Sequence, residues 1–364
     1  MRVLIDHQMF SLQRYGGISR YFANLHSGFN KSNHQSTITA LYSENEYVKH
    51  EPFLFNNAIG QHLFSGKQKK YYAWNRRFSR WSVKRGNFDV FHPTYDDPYF
   101  IKYLKKPCVV TIHDMVHELY PQYIGNAAQV IPRKKAVMEK ADAIIAISEF
   151  TKQDLIKVYP HMAGKIQVVH HGYWGLSNKT EHNSTLPAKY ILYVGERWHY
   201  KNFDTFIGGI APLLQQDSTL NIVCAGGRAF TAEEIQHFEK LQITGQCLQM
   251  DVTDQVLQQL YAQAIFFAFP SLHEGFGFPL LEAFANQCPV ICSNSSCLPE
   301  IAADAAVYFN PYEPNDIRKA AETVLSNPLL QQQMKQKGTE RLTHFTMEAC
   351  VQNTIKVYES VIKH

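Results

Sequence analysis

At 364 residues the chain exceeds what one hydrophobic core usually serves, so two domains are the default expectation. Its apolar (45%) and charged (19%) fractions are those of an ordinary globular protein, and a net charge of +4 is too small to argue for nucleic acid. No run approaches the roughly 18 apolar residues of a spanning helix, and the opening MRVLID enters a strand directly, without a segment suited to a secretory signal.

In chain order, Val3–Asp6 reads as a first strand, and Gly16-Gly17 opens an amphipathic helix to about Asn30. Strand, glycine turn and helix is an arrangement that cradles anions, although a bare G-G is equally a tight turn. Ser36–Tyr42 is the second strand. The segment Lys67–Arg85 carries Lys67, Lys69, Lys70, Arg76, Arg77, Arg80, Lys84 and Arg85 with no acid, while Tyr71, Trp74, Phe78 and Trp81 recur at helical spacing on one face. Such a helix suits an anionic membrane surface, and equally a surface helix that packs its stripe on its own domain. Nucleic-acid binding would need a recognised module, and none is visible.

Val90–His92 and Val109–Ile112 follow, the second running into His113-Asp114 at a strand's carboxyl end, where open α/β sheets place ligands. Ala143–Ile147 is a buried strand, Ser148 suits the N-cap of a helix through Val158, and Ile166–Val169 leads to His170-His171-Gly172, closing a first domain at residue 172. Adjacent histidines on a strand point to opposite faces, which argues against a shared metal. Residues 173–188, with Gly175, Asn178, Asn183, Ser184 and Pro187, read as a linker.

A second domain over 189–345 starts with the strand Tyr190–Val194 and the loop Gly195-Glu196-Arg197-Trp198-His199-Tyr200-Lys201-Asn202. Two cations straight after a strand are placed to meet a diphosphate, although solvated surface charge is the commoner fate of Arg and Lys. Strands Leu220–Cys224 and Cys247–Met250 alternate with helices Glu233–Leu241 and Asp254–Ala262, the rhythm of a parallel sheet with helices on both faces. The most informative stretch is IFFAFPSLHEGFGFPLLEAFANQCPVIC, residues 265–292: an apolar strand, a glycine loop, a short helix opening near Pro279, and another apolar strand. Gly275 and Gly277 let a ligand approach the backbone where a helix start presents unpaired N–H groups, and Glu274 and Glu282 bracket that start. Val307–Phe309 is a last strand, followed by helices from Asn315 and Leu329 and a final one over 346–364. The seven cysteines show no C-x2-C pairing and read as reduced core thiols; Cys288, Cys292 and Cys297 lack the companions a zinc site needs.

EGFGFPLLE resembles the E-x7-E signature of retaining glycosyltransferases of family 4, and the following PVICSNSSCLPEIAADAAVYFNP resembles that family's continuation. The resemblance implies an α/β GT-B fold: two Rossmann-like parallel-sheet domains facing across a cleft, the C-terminal helix crossing back to the first. It implies that Gly16 and Gly17 lie against the donor's phosphates and that His113, with Asp114, faces the sugar and diphosphate. Arg197 and Lys201 would hold the phosphates, Glu282 the ribose hydroxyls, Glu274 with the backbone of Gly275, Phe276, Gly277 and Phe278 the sugar, and Val252 the base through its backbone. Lys201 is expected to face the glycine-lined helix tip across the gap between lobes. Glu196 stands where many relatives carry Arg, so Arg197 matches the family's pattern only with a one-residue offset.

No D-x-D triplet occurs, so neither a metal nor another cofactor is expected, and cationic side chains with helix N-termini would carry the leaving diphosphate's charge. The implied activity is hexosyl transfer from a nucleoside diphosphate sugar, GDP-mannose favoured, to a glycan or lipid-linked glycan in bacterial surface-polysaccharide assembly. The protein is expected to be cytoplasmic or peripheral at the inner membrane's cytoplasmic face, residues 67–85 meeting anionic lipid. A sugar-nucleotide epimerase, another GT-B enzyme and a non-catalytic membrane-surface adaptor are the alternatives.

Overall fold

The computed structural model describes residues 1–175 and 186–362, so most of the segment read as a linker lies outside the described residues. The chain divides into two units, Met1–Gly172 together with Met347–His364, and Tyr173–Thr346.

In the first unit β1 (Arg2–Ile5), β2 (Gln35–Ile38), β3 (Val90–His92), β4 (Val109–Ile112), β5 (Ala143–Ala146) and β6 (Ile166–Val168) run parallel in the orders β2-β1-β3 and β4-β5-β6. A parallel bridge between Phe91 and Cys108 joins the two sets, the Phe91 amide donating to the Pro107 carbonyl at 2.9 Å. Strands β4 and β5 are buried throughout and read as unbroken apolar runs, whereas the edge strand β2 alternates exposed and buried residues. That edge strand stops at Ile38, short of the expected Tyr42. The Leu41 and Tyr42 amides donate to Asn75 Oδ1 at 2.8 and 3.2 Å, so a side chain takes the place of strand pairing.

Asn75 belongs to the basic helix, Gln68–Arg85, whose buried face is Tyr71, Asn75, Ser79 and Val83. The aromatic stripe therefore divides: Tyr71 packs inward with Tyr42 and Phe64, while Trp74 and Trp81 remain 47% and 51% exposed. The last helix, Met347–Ile362, belongs to the first unit and packs on the helix Gly17–Asn30, with Tyr358 stacked on Phe29 at 5.4 Å. Contact is close enough that a Cβ on Gly28 would sit 2.5 Å from a Val351 methyl.

The second unit holds β7 (Tyr190–Val194), β8 (Asn221–Ala225), β9 (Cys247–Met250), β10 (Phe266–Phe269), β11 (Val290–Ser293) and β12 (Ala306–Phe309), all parallel in the order β12-β11-β10-β7-β8-β9. The chain steps outward from β7 through β8 to β9, then returns to the other flank of β7 with β10. The reversal makes the β7/β10 boundary the topological switch point, where loops diverge and leave a crevice. Helices Ala127–Lys140 and Phe203–Gln216, each continuing through an internal proline (Pro132, Pro212), complete the covering layers; the sequence pattern did not announce them. All seven cysteines are buried and free, and burial raises each thiol's pKa.

Candidate active site

The loops after β7 and β10 are laced together. The Leu272 amide donates to the Tyr200 carbonyl at 2.7 Å, and Asn202 Nδ2 donates to the carbonyls of Pro270 (3.2 Å) and Pro311 (2.7 Å). Between these two anchors stands Lys201, whose Nζ donates to Glu274 Oε1 at 2.7 Å. Both side chains are largely buried, 23% and 15% exposed. Both residues belong to the second unit, the domain in which the sequence places them, and they pair directly instead of facing each other across a gap.

Gly277 is the N-cap of the helix Phe278–Ala285 and takes φ +91°, a left-handed conformation that glycine adopts without steric cost. A Cβ there would also press on Leu298 at 3.1 Å and Phe269 at 3.3 Å. Gly275 and Phe276 are buried; Phe276 packs edge-on against Phe345, and Phe278 against Trp174 at 4.2 Å. Glu282 lies one turn along the helix, where its Oε2 accepts from the Tyr261 hydroxyl at 3.1 Å. Val252 sits half-buried in the loop after the edge strand β9, next to the N-cap Thr253.

Arg197 is the clearest departure from expectation. Its side chain is only 5% exposed and turns inward: Nε donates to Glu234 Oε1 at 2.7 Å and Nη2 to the Arg228 carbonyl at 2.6 Å. Burial opposes its charge, but the Glu234 carboxylate more than offsets this and raises the pKa. Glu234 also closes the capping box with Thr231, accepting from its amide at 2.8 Å. Arg197 thus turns away from the surface and braces the loop Gly226-Gly227-Arg228; its Nη1 leaves no room for a Cβ on Gly227, 2.9 Å away. The T-x-x-E spacing of Thr231 and Glu234 was a visible capping signal, but nothing in the sequence paired it with Arg197.

The other expected site residues lie in the first unit. Gly16 caps the helix Gly17–Asn30, and a Cβ at Gly17 would meet open space. Gln13 Oε1 occupies one first-turn donor, the Ser19 amide, at 3.1 Å. His113, after β4, stacks on His171 with ring centres 5.4 Å apart and meets Tyr21 edge-on; burial lowers its pKa to about 4, so the ring is neutral at pH 7. Burial alone would push the Asp114 carboxyl up, but the Lys134 ammonium and the Val116 amide hold it below its usual value. Among the described residues no three His, Cys, Asp or Glu side chains group as metal ligands.

A family model described as Glycosyltransferase Family 4 matches residues 15–173, and one described as Glycosyl transferases group 1 matches residues 177–341. The chain belongs to glycosyltransferase family 4. Among relatives of this family 4 protein, it is 24% identical to O-antigen chain mannosyltransferase B of Escherichia coli, over 78% of this chain and 77% of that one. It is 27% identical to O-antigen chain mannosyltransferase RfbU of Salmonella typhimurium, over 60% of this chain and 61% of that one. The whole glycosyltransferase superposes on a sucrose-phosphate synthase of Thermosynechococcus elongatus with a TM-score of 0.73 at 16% identity, covering 100% and 99% of the two chains. The fold is GT-B, with two Rossmann-like α/β units. The residues that sequence reading missed in this family 4 chain are the supports: Glu234 for Arg197, Tyr261 for Glu282, Asn202 and Tyr200 for the Lys201 loop.

Proposed function

We propose that this glycosyltransferase moves a hexosyl group from a nucleoside diphosphate sugar to a hydroxyl of a glycan or lipid-linked glycan, with retention at the anomeric carbon and without a metal ion. The observation that carries the reading is the Lys201–Glu274 pair at the β7/β10 switch point, beside the glycine-capped helix Phe278–Ala285. Lys201 and the helix start neutralise the departing diphosphate. Glu282, oriented by Tyr261, takes the ribose hydroxyls, Val252 borders the base, and Glu274 with the Gly275–Phe278 backbone takes the sugar. From the first unit, Gly16 and Gly17 serve the phosphates, and the neutral His113 and neighbouring Asp114 serve sugar recognition.

A carboxylate already committed to an ammonium is a poor nucleophile, which favours positioning as the role of Glu274. The bond from the anomeric carbon to the β-phosphate oxygen then breaks as the acceptor oxygen bonds on the same face. The acceptor's proton passes to the departing phosphate oxygen. The mannosyltransferase names of the relatives at 24% and 27% identity favour GDP-mannose as donor and a bacterial surface polysaccharide as product.

A position at an anionic membrane is supported by the outer face of the basic helix, where Trp74, Arg77, Trp81 and Arg85 are exposed; Ile59 and Leu63 of the preceding helix, Ala58–Phe64, are exposed as well. No helix among the described residues is long and apolar enough to cross a membrane. The function is tested by melting the protein with GDP, UDP, ADP and dTDP, then assaying the stabilising nucleotide's hexose conjugates with and without EDTA. Stabilisation by one nucleotide and EDTA-resistant transfer are expected. No stabilisation by any of them, or loss of transfer in EDTA, refutes the reading.

A further inference from the structure

The second unit begins at Tyr173 and ends at Thr346, and these two ends are joined. Tyr173 and Thr346 form a parallel bridge, and the Tyr173 amide donates to the Phe345 carbonyl at 2.7 Å. Each end brings an aromatic ring to the glycine loop. Trp174 packs on Phe278 with ring centres 4.2 Å apart, and Phe345 meets Phe276 edge-on at 5.6 Å. Phe276 and Phe278 also touch each other, at 5.4 Å. Arg341 sets its guanidinium 4.9 Å from the Phe345 ring centre. Its Nε and Nη2 donate to the carbonyls of Ile301 (2.8 Å) and Glu300 (2.6 Å) in the helix Leu298–Ala302, whose Leu298 side chain lies against Gly277.

Gly277, at φ +91°, has no side chain by which to be held, and no side-chain hydrogen bond caps the helix it opens. Glycine also loses more backbone freedom on ordering than any other residue. Phe276 and Phe278, directly before and after it, are handles that fix the intervening amides, and rings from both ends of the unit grip them. Such fixing matters, because donors aimed at a reacting group act through geometry set in advance, and a misplacement of about 1 Å can cost about a hundred-fold. Trp174 and Phe278 are only half-buried, so shortening Trp174 removes little of the core.

We propose that Trp174 and Phe345 are positioning residues of the donor site: the joined ends of the second unit hold Phe276 and Phe278, and through them the backbone that receives the transferred sugar. The role rests on the assignment of the Gly275–Phe278 backbone to that sugar. The coupling is reciprocal, so a sugar that settles on the loop tightens the Tyr173–Phe345 join as much as the join tightens the loop.

The test is calorimetric titration of wild type, Trp174→Ala, Trp174→Phe and Phe345→Leu with GDP and GDP-mannose, and with UDP and UDP-glucose. For a pair that wild type binds, Trp174→Ala and Phe345→Leu are expected to weaken the sugar conjugate about ten-fold and the bare nucleotide less than about three-fold. Trp174→Phe keeps a ring against Phe278 and should restore most of the loss. Equal losses for conjugate and nucleotide, or no loss for either, overturn the proposal. Amide hydrogen exchange of wild type needs no variant: the sugar conjugate should slow exchange at residues 173–175 and 345–346 beyond what the nucleotide alone does. Slowed exchange upholds the role where a variant does not fold, and unchanged exchange refutes it. If wild type binds none of the four ligands, the donor reading falls and this role with it. Binding by wild type that the variants leave untouched removes only the role of Trp174 and Phe345.

Discussion

Lys201 and Glu274 lie 73 positions apart and meet at 2.7 Å because β7 and β10 are neighbours in the sheet. Their loops are locked to one another on either side of the pair, through the Leu272 amide on Tyr200 and Asn202 on Pro270. The pair places one cation and one carboxylate side by side where a departing pyrophosphate and a sugar ring adjoin.

Removing either partner therefore has opposite effects on nucleotide affinity. Glu274→Ala is expected to reduce transfer by at least about a hundred-fold, since the sugar loses its positioning group. It should leave nucleoside diphosphate affinity unchanged or slightly improved, because Lys201 loses its competing anion. Lys201→Ala should weaken that affinity by about ten-fold or more. Calorimetric titration of both variants separates the roles, and turnover that survives Glu274→Ala would remove the assignment.

Arg197 and Glu234 make a different kind of pair, internal and structural. Arg197→Met leaves Glu234 buried without its partner, a loss typically of about 3 kcal/mol, seen as a lower urea midpoint. The double substitution Arg197→Met with Glu234→Gln should recover much of it. Nucleotide affinity of the folded fraction should hold. A ten-fold loss of affinity without a stability change would return Arg197 to the phosphates.

Much of this protein is legible in its sequence, and the exceptions have physical causes. Parallel strands buried on both faces declare themselves as short apolar runs, and β3, β4 and β7 fall where such runs predict. The E-x7-E stretch shows its strand, glycine cap and helix because each is a local choice, with Gly277 and Pro279 at the start. Partnerships across the fold are not local. Sequence places Arg197 after a strand but cannot say that Glu234, 37 residues on, will turn it inward. The basic helix misleads for a related reason: its buried face includes Asn75 and Ser79, polar residues that match loop amides and hydroxyls, so an apolar stripe was the wrong guide to what lies inside.

That division sharpens the membrane prediction. Tyr71 is committed to the interior, so Trp74 and Trp81, with Arg77 and Arg85, are the groups able to meet lipid. Vesicles containing phosphatidylglycerol should sediment the protein, and neutral phosphatidylcholine vesicles should not. Binding should fall with salt, as screening requires. Trp74→Ser with Trp81→Ser, or Arg77→Glu with Arg85→Glu, should lower the partition coefficient at least about ten-fold without changing the melting temperature. Equal binding to neutral and anionic vesicles contradicts the assignment.

Acid sensitivity is traced most directly through His92. The residue is fully buried, its Nδ1 meets the Tyr358 hydroxyl and its Nε2 the Thr111 hydroxyl, and burial lowers its pKa to about 3. The unfolded chain therefore binds a proton at this site between about pH 6.5 and 3 that the folded chain excludes, so stability falls as pH falls through that window. Above the window His92 contributes no pH dependence; within it the loss approaches about 1.4 kcal/mol per pH unit. Buried Asp6 and Asp154 have raised pKa values and act in the opposite sense over part of the range, which is why a single-site comparison is needed. His92→Gln lowers stability at every pH through the altered hydrogen bonds, but removes the proton linkage. Between pH 7 and pH 4.5 the stability gap between wild type and His92→Gln should therefore narrow by about 2–3 kcal/mol in urea titrations. A gap that stays constant across that range would mean the imidazole takes up its proton without unfolding.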